Sequence, residues 1–130
     1  VAVQVPFTFN GTLAFPVDDG QPNSLVVLSL NALYQHQASF KLELTGAGTR
    51  SVDFSTIATT GAKCIAVEVL PDPSPAALPI NLTFNGGSDT LQLTAGGFLV
   101  YVNPNPAAGG VLSMDIAHLS AATVRVHVFG

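Results

Sequence analysis

Val1, Val3, Val5, Phe7 and Phe9 alternate with Ala2, Gln4, Pro6 and Thr8, the period-two pattern of a strand with one buried face. Pro6 has no amide hydrogen to give to a ladder, so this strand is expected at a sheet edge. Asn10-Gly11 is a two-residue hairpin signal, and Leu13, Phe15 and Val17 resume the alternation beyond it. Residues 1–17 are therefore predicted to form one hairpin. After the turn chemistry of residues 18–23, the apolar run from Leu25 to Leu30 suits a strand buried on both faces. Residues 31–37 read as a helical turn between strands. Phe40, Leu42 and Leu44 alternate with Lys41, Glu43 and Thr45, and Gly46-Ala47-Gly48 leads into residues 51–54. That pattern predicts a second hairpin.

Ile65, Val67 and Val69 set one face of the next strand, which ends at the proline-dense stretch from Pro71 to Pro75, read as a stiff crossing loop. Ile80, Leu82 and Phe84 alternate with Asn81, Thr83 and Asn85 before Gly86-Gly87 turns the chain into Thr90 to Leu93. Gly96-Gly97 precedes Phe98 to Val102, and a long loop follows, containing Asn103-Pro104-Asn105-Pro106 and Gly109-Gly110. Leu112, Met114 and Ile116 read as one inward row, and Val124, Val126 and Val128 as the last, with Arg125 and His127 facing away. About ten short strands at this spacing indicate an all-β sandwich or barrel. The fold expected is a single antiparallel β-sandwich over residues 1–130. A jelly roll is favoured over an immunoglobulin-like arrangement, because the loops are long and no Cys/Trp core pair is present.

Composition narrows the function classes. Hydrophobic residues make up 48% of the 130, too many for a disordered chain, yet no apolar run approaches the roughly 20 residues of a spanning helix. Basic residues are confined to Lys41, Arg50, Lys63 and Arg125, and the net charge is −4, so neither a membrane nor a nucleic acid is expected as partner. The single Cys64 has no intrachain partner and reads as a small buried strand residue. No signal peptide opens the chain, and the initial Val fits removal of an initiator Met or a short leader.

Chemistry is sparse. The histidines are His36, His118 and His127, and Asp115 lies three residues from His118, which puts the two on opposite faces of a strand. No strained nucleophile elbow accompanies them. Asp18 and Asp19 sit in a turn without the further ligands of a calcium loop, while Glu43 and Glu68 occupy outward strand positions. Asn10-Gly11-Thr12 and Asn81-Leu82-Thr83 satisfy the glycosylation sequon. Trp is absent, leaving Tyr34, Tyr101 or an exposed Phe as platforms on which a sugar can stack. No catalytic residue, metal site or cofactor is expected.

Charged residues make up 9% of the chain, against about 25% in a typical soluble domain, so much of the surface is expected to be covered by other protein. Three stretches of the second half and the C-terminus carry a resemblance: Asn81-Leu82-Thr83-Phe84-Asn85-Gly86, then Gly96-Gly97-Phe98-Leu99-Val100-Tyr101 and Asn103-Pro104-Asn105-Pro106, and the closing Val124 to Gly130. Together, over residues 63–130, they resemble the small β-sandwich structural proteins of tailed bacteriophages that decorate or cement a capsid shell or sit at the tail. The resemblance implies many copies per virion, assembled in the host cytoplasm. It further implies a symmetric oligomer of the chain itself and, as partner, the major capsid protein or another virion protein. Contacts are expected on the N-terminal strand, through Val1, Val3, Val5 and Phe7, and on the loop bearing Asn103, Pro104, Asn105 and Pro106. The alternative is a carbohydrate-binding or receptor-binding module.

Overall fold

The structure is a computed structural model that describes residues 5–15, 24–34, 36–55, 57–71, 78–102 and 110–130. Among these residues ten strands and one short helix follow in order: β1 (Val5–Phe15), β2 (Ser24–Tyr34), β3 (Gln37–Leu44), β4 (Gly48–Val52), α1 (Ile57–Thr60), β5 (Cys64–Val69), β6 (Ile80–Phe84), β7 (Thr90–Leu93), β8 (Phe98–Val102), β9 (Met114–His118) and β10 (Ala122–Phe129). Two antiparallel sheets of four strands face each other, one in the order β3-β10-β5-β8 and the other β4-β9-β6-β7, while among the described residues β1 and β2 pair only with each other. The chain is all-β and sandwich-like.

Alternation explains which faces meet. Leu42 and Leu44 of β3, Ile65, Val67 and Val69 of β5, and Val124, Val126 and Val128 of β10 turn inward from the first sheet. Ile80, Leu82, Met114 and Ile116 answer them from the second, and Phe54 and Ile57 join the same core. Each such aliphatic side chain, taken wholly out of water, contributes about 1.5–3 kcal/mol. Arg125, Glu68, Lys41 and Glu43 occupy exposed outward positions.

Four expectations are corrected. Asn10-Gly11 is no turn: β1 runs straight through it, with Asn10 opposite Ser29 and Gly11 opposite Leu28. A two-residue turn of this kind needs positive φ at both central residues, and neither Asn10 nor Gly11 has it. The other Asn-Gly does turn: Asn85 and Gly86 have φ of 54° and 64°, and the Gly87 N–H donates to the Phe84 carbonyl at 3.0 Å. The described residues of 31–37 form no helical turn, because β2 continues to Tyr34 and β3 begins at Gln37. His36 and Gly130 exchange backbone hydrogen bonds of 2.8 and 3.0 Å there, so extended pairing takes up the groups a helix would have used.

The predicted second hairpin is a crossover, since β3 pairs with β10 and β4 with β9 in the opposite sheet. The passage is held where the His118 Nδ1–H donates to the Gly46 carbonyl at 2.7 Å, at a glycine with φ of 61°. Leu112 is 52% exposed rather than part of an inward row. Asn85 Oδ1 accepts the Leu112 N–H at 2.7 Å and the Ser113 N–H at 3.4 Å, so the chain is tied to a side chain before β9 begins. Val111, bridged to Ala62, packs on the core in its place.

Beside that bridge the backbone of Gly61 meets that of Gly110: a Cβ on Gly110 would lie 2.7 Å from the Ala62 carbonyl oxygen and 2.8 Å from the Gly61 carbonyl carbon. At Gly86 a Cβ would meet nothing within 4 Å. Urea denaturation is expected to show Gly86→Ala losing about 1 kcal/mol, from left-handed backbone strain alone, and Gly110→Ala about 3 kcal/mol, from overlap with backbone that has no room to move. Equal losses would contradict the close approach.

A candidate interaction surface

The groups that bear chemistry are dispersed. His118 lies inward at the end of β9 and serves the Gly46 carbonyl, while Asp115 faces outward and accepts a hydrogen bond from Ser51 Oγ at 2.7 Å. As expected, they stand on opposite faces. His127 Nδ1 is hydrogen-bonded to Ser39 Oγ at 2.9 Å, and Gln37 Nε2 donates to the same oxygen at 3.1 Å. Sequence spacing gave no sign of this contact between residues 88 apart; it follows from β3 and β10 being neighbours. Among the described residues no three His, Cys, Asp or Glu side chains converge to hold a metal ion. No helix among them is long and apolar enough to cross a membrane. Asn81 of the second sequon lies mid-strand with its Oδ1 shielded from solvent and without a hydrogen-bond partner, while Asn10 of the first is exposed on β1.

Strand register organises the outer face of the first sheet into rows, three of which cross all four strands. Phe98, Glu68, Arg125 and Lys41 form one; Val100, Ala66, His127 and Ser39 the next; Val102, Cys64, Phe129 and Gln37 the third. Three charges of the face, Glu68, Arg125 and Lys41, fall in the first row, and the fourth, Glu43, stands beyond it opposite Thr123. A shallow depression of about 290 Å³, lined by Ala66, Glu68, Phe98, Val100 and His127 among others, lies across the first two rows. Phe98 is 68% exposed beside it.

The third row is where the β1–β2 ribbon is attached. Phe7 meets the Phe129 ring edge-on, with centroids 5.3 Å apart, and Tyr34 packs on the same ring at 5.8 Å. Cys64 and Val102 complete this second apolar cluster. Burial pushes the Cys64 thiol from its ordinary 9.0 up to about 12. The Tyr34 hydroxyl is also raised, first by burial and then by the neighbouring Cys64 and Tyr101.

Of the residues expected to make contacts, Phe7 is thus placed: it is half-buried and anchors the ribbon to its own sandwich. Val5 begins β1 opposite Tyr34. Val1 and Val3, and the loop residues Asn103, Pro104, Asn105 and Pro106, lie outside the described residues, as do Asp18 and Asp19. The cluster around Phe129 was missed in the sequence, although Phe129 stands out there as the aromatic that follows the Val124-Val126-Val128 row.

Phe129→Ala is expected to free the ribbon, with its backbone amides exchanging rapidly while β5 and β10 keep their protection, at a loss of about 3 kcal/mol. Hydrogen exchange checks this; an unchanged ribbon would show that it is held elsewhere. In the intact protein Cys64 should resist alkylation until unfolding. Because a raised thiol and phenol stay protonated when folded but ionise when unfolded, stability should be full below pH about 9 and fall as pH rises toward 12. Cys64→Ala should lessen that fall, and a stability flat over this range would contradict the buried thiol.

Comparison with protein-family models finds none that matches this chain, and comparison with curated proteins finds no match either.

Proposed function

We propose that this chain is a virion structural protein whose sandwich is a jelly roll and which decorates or cements a capsid shell at the junctions between its subunits. Support for the jelly roll comes from connectivity. From β3 to β10 every connection except β6–β7 passes from one sheet to the other, as interlocked Greek keys require, whereas sandwiches built of hairpins turn within a sheet. Jelly rolls serve both as viral shell domains and as lectins, so the fold does not choose between the two functions.

The observation that carries the choice is the ribbon. Its two strands, 11 residues each, contain no charged residue and among the described residues pair only with each other. An isolated two-stranded ribbon is marginal in water, and its register sets apolar positions opposite each other, such as Phe9 with Leu30 and Leu13 with Val26. A neighbouring copy or the major capsid protein supplies the cover. The N-terminal strand, from Val1 through Phe7, and the loop with Asn103 to Pro106 are the contacts we assign to it. Each copy needs only modest affinity, because many linked copies on one shell act through effective concentration.

A second reading, carbohydrate or receptor binding, rests on Phe98 standing exposed beside the depression with Glu68 and His127, an aromatic face next to polar groups.

Light scattering over a range of concentrations, with electron microscopy of the protein alone and mixed with purified phage shells, tests the proposal. A closed oligomer, or regular density added to shells, is the expected result. A monomer at every concentration that coats nothing would overturn it, and binding on a glycan array that Phe98→Ala abolishes would establish the second reading.

A further inference from the structure

The two flanks of the sandwich differ in charge. One flank, made of β3 and β4, carries Lys41, Glu43 and Arg50, with Lys41 Nζ 3.7 Å from Glu43 Oε1. Charge on an edge strand is a common protection against pairing with another chain. The other flank, β7 and β8, contains no charged residue and no proline. It leaves Leu91 50%, Phe98 68% and Tyr101 38% exposed.

Hydrogen bonds decide which backbone groups of β8 are free. Residues Thr94 to Gly97 form a turn in which Gly96 has φ of 84° and the Gly97 N–H donates to the Thr94 carbonyl at 2.8 Å. Gly96 and Gly97 then stand together opposite Val69: the Gly96 N–H donates to the Val69 carbonyl and the Val69 N–H to the Gly97 carbonyl, both at 2.9 Å. This is a glycine bulge at the entry to β8. Bonded and non-bonded pairs alternate along an antiparallel ladder. Leu99 and Tyr101 therefore bond to Val67 and Ile65, and the N–H and C=O groups of Phe98, Val100 and Val102 point away from β5. Among the described residues no strand pairs with that side of β8.

We propose that β8 pairs antiparallel with β8 of a second copy of this chain, about a twofold axis at Val100, joining the two first sheets into one of eight strands. In this register Phe98 stands opposite the partner's Val102, Leu99 opposite the partner's Tyr101, and Val100 opposite the partner's Val100. Every outward amide and carbonyl of Phe98, Val100 and Val102 then has a partner. Each exposed aromatic lies against an aliphatic side chain, a favourable cross-strand pairing. The strand is self-complementary in size, and a second copy brings no charge to the interface, whereas pairing through β3 would set Lys41 and Glu43 into it. The contact needs nothing from the ribbon and stands independently of the virion reading.

Sedimentation of the intact protein from micromolar to millimolar concentration, together with amide hydrogen exchange by NMR, tests it. The expected result is a species of twice the 13.4 kDa chain mass. The amides of Phe98, Val100 and Val102 should become protected only as it forms, while those of Leu99 and Tyr101 are protected throughout. Val100→Lys, which sets two ammonium groups across the axis, should weaken the dimer about tenfold and leave the Leu99 and Tyr101 amides protected. A monomer at millimolar concentration, or an oligomer in which the three outward amides still exchange rapidly, would overturn the proposal. The wild-type exchange pattern decides the matter even where the variant fails to fold.

Discussion

The last strand holds the sandwich together. β10 is hydrogen-bonded to β3 on one side and to β5 on the other, and Val124, Val126 and Val128 are fully shielded from water in the core. Until these residues arrive, β3 has no ladder partner among the described strands of its sheet and β5 is paired along one edge only, with β8. Other ladders also join strands well separated in sequence, such as β4 with β9 and β5 with β8, so native pairing is closed by the end of the chain, with the slow loop-closure entropy that such topologies carry. The glycine contact at Gly61 and Gly110 belongs to the same constraint. It lets the Ala62–Val111 bridge close within the segment that leads into β5, and the Phe129 carbonyl accepts the Lys63 N–H at 2.8 Å there.

Strand identity was legible where one face is buried. The rows Ile65-Val67-Val69 and Val124-Val126-Val128 need only the period of two, and the core confirms it. Where the chain turns was less legible, because the same dipeptide does different things. Asn85-Gly86 turns in a segment whose flanking strands pair with each other, while Asn10-Gly11 stays extended because β2 offers a partner along its whole length. Leu112 looked like the start of an inward row until the Asn85 side chain captured its amide. Local pattern carries no information about a hydrogen bond made from 27 residues away. The crossover at Gly46 was hidden for the same reason, its anchor being His118.

The candidate surface was legible as a deficit of charge and not as a place. Composition says that charges are few; register says where they went. Glu68, Arg125 and Lys41 share one row, Lys41 and Glu43 stand on one edge, and the ribbon and the β7–β8 flank are left bare. The aromatic anchor at Phe129 ties the ribbon to the sandwich through Phe7 and Tyr34. We assign contact with other protein to these two uncharged surfaces, the ribbon and the β7–β8 flank.

A cryo-electron microscopy map of the assembled protein tests this most directly. The account predicts that the ribbon and the β7–β8 flank lie in contacts between copies or against the shell, with the β3–β4 edge turned to solvent. A map with the charged edge in the contacts, and the ribbon and β8 in solvent, would contradict it.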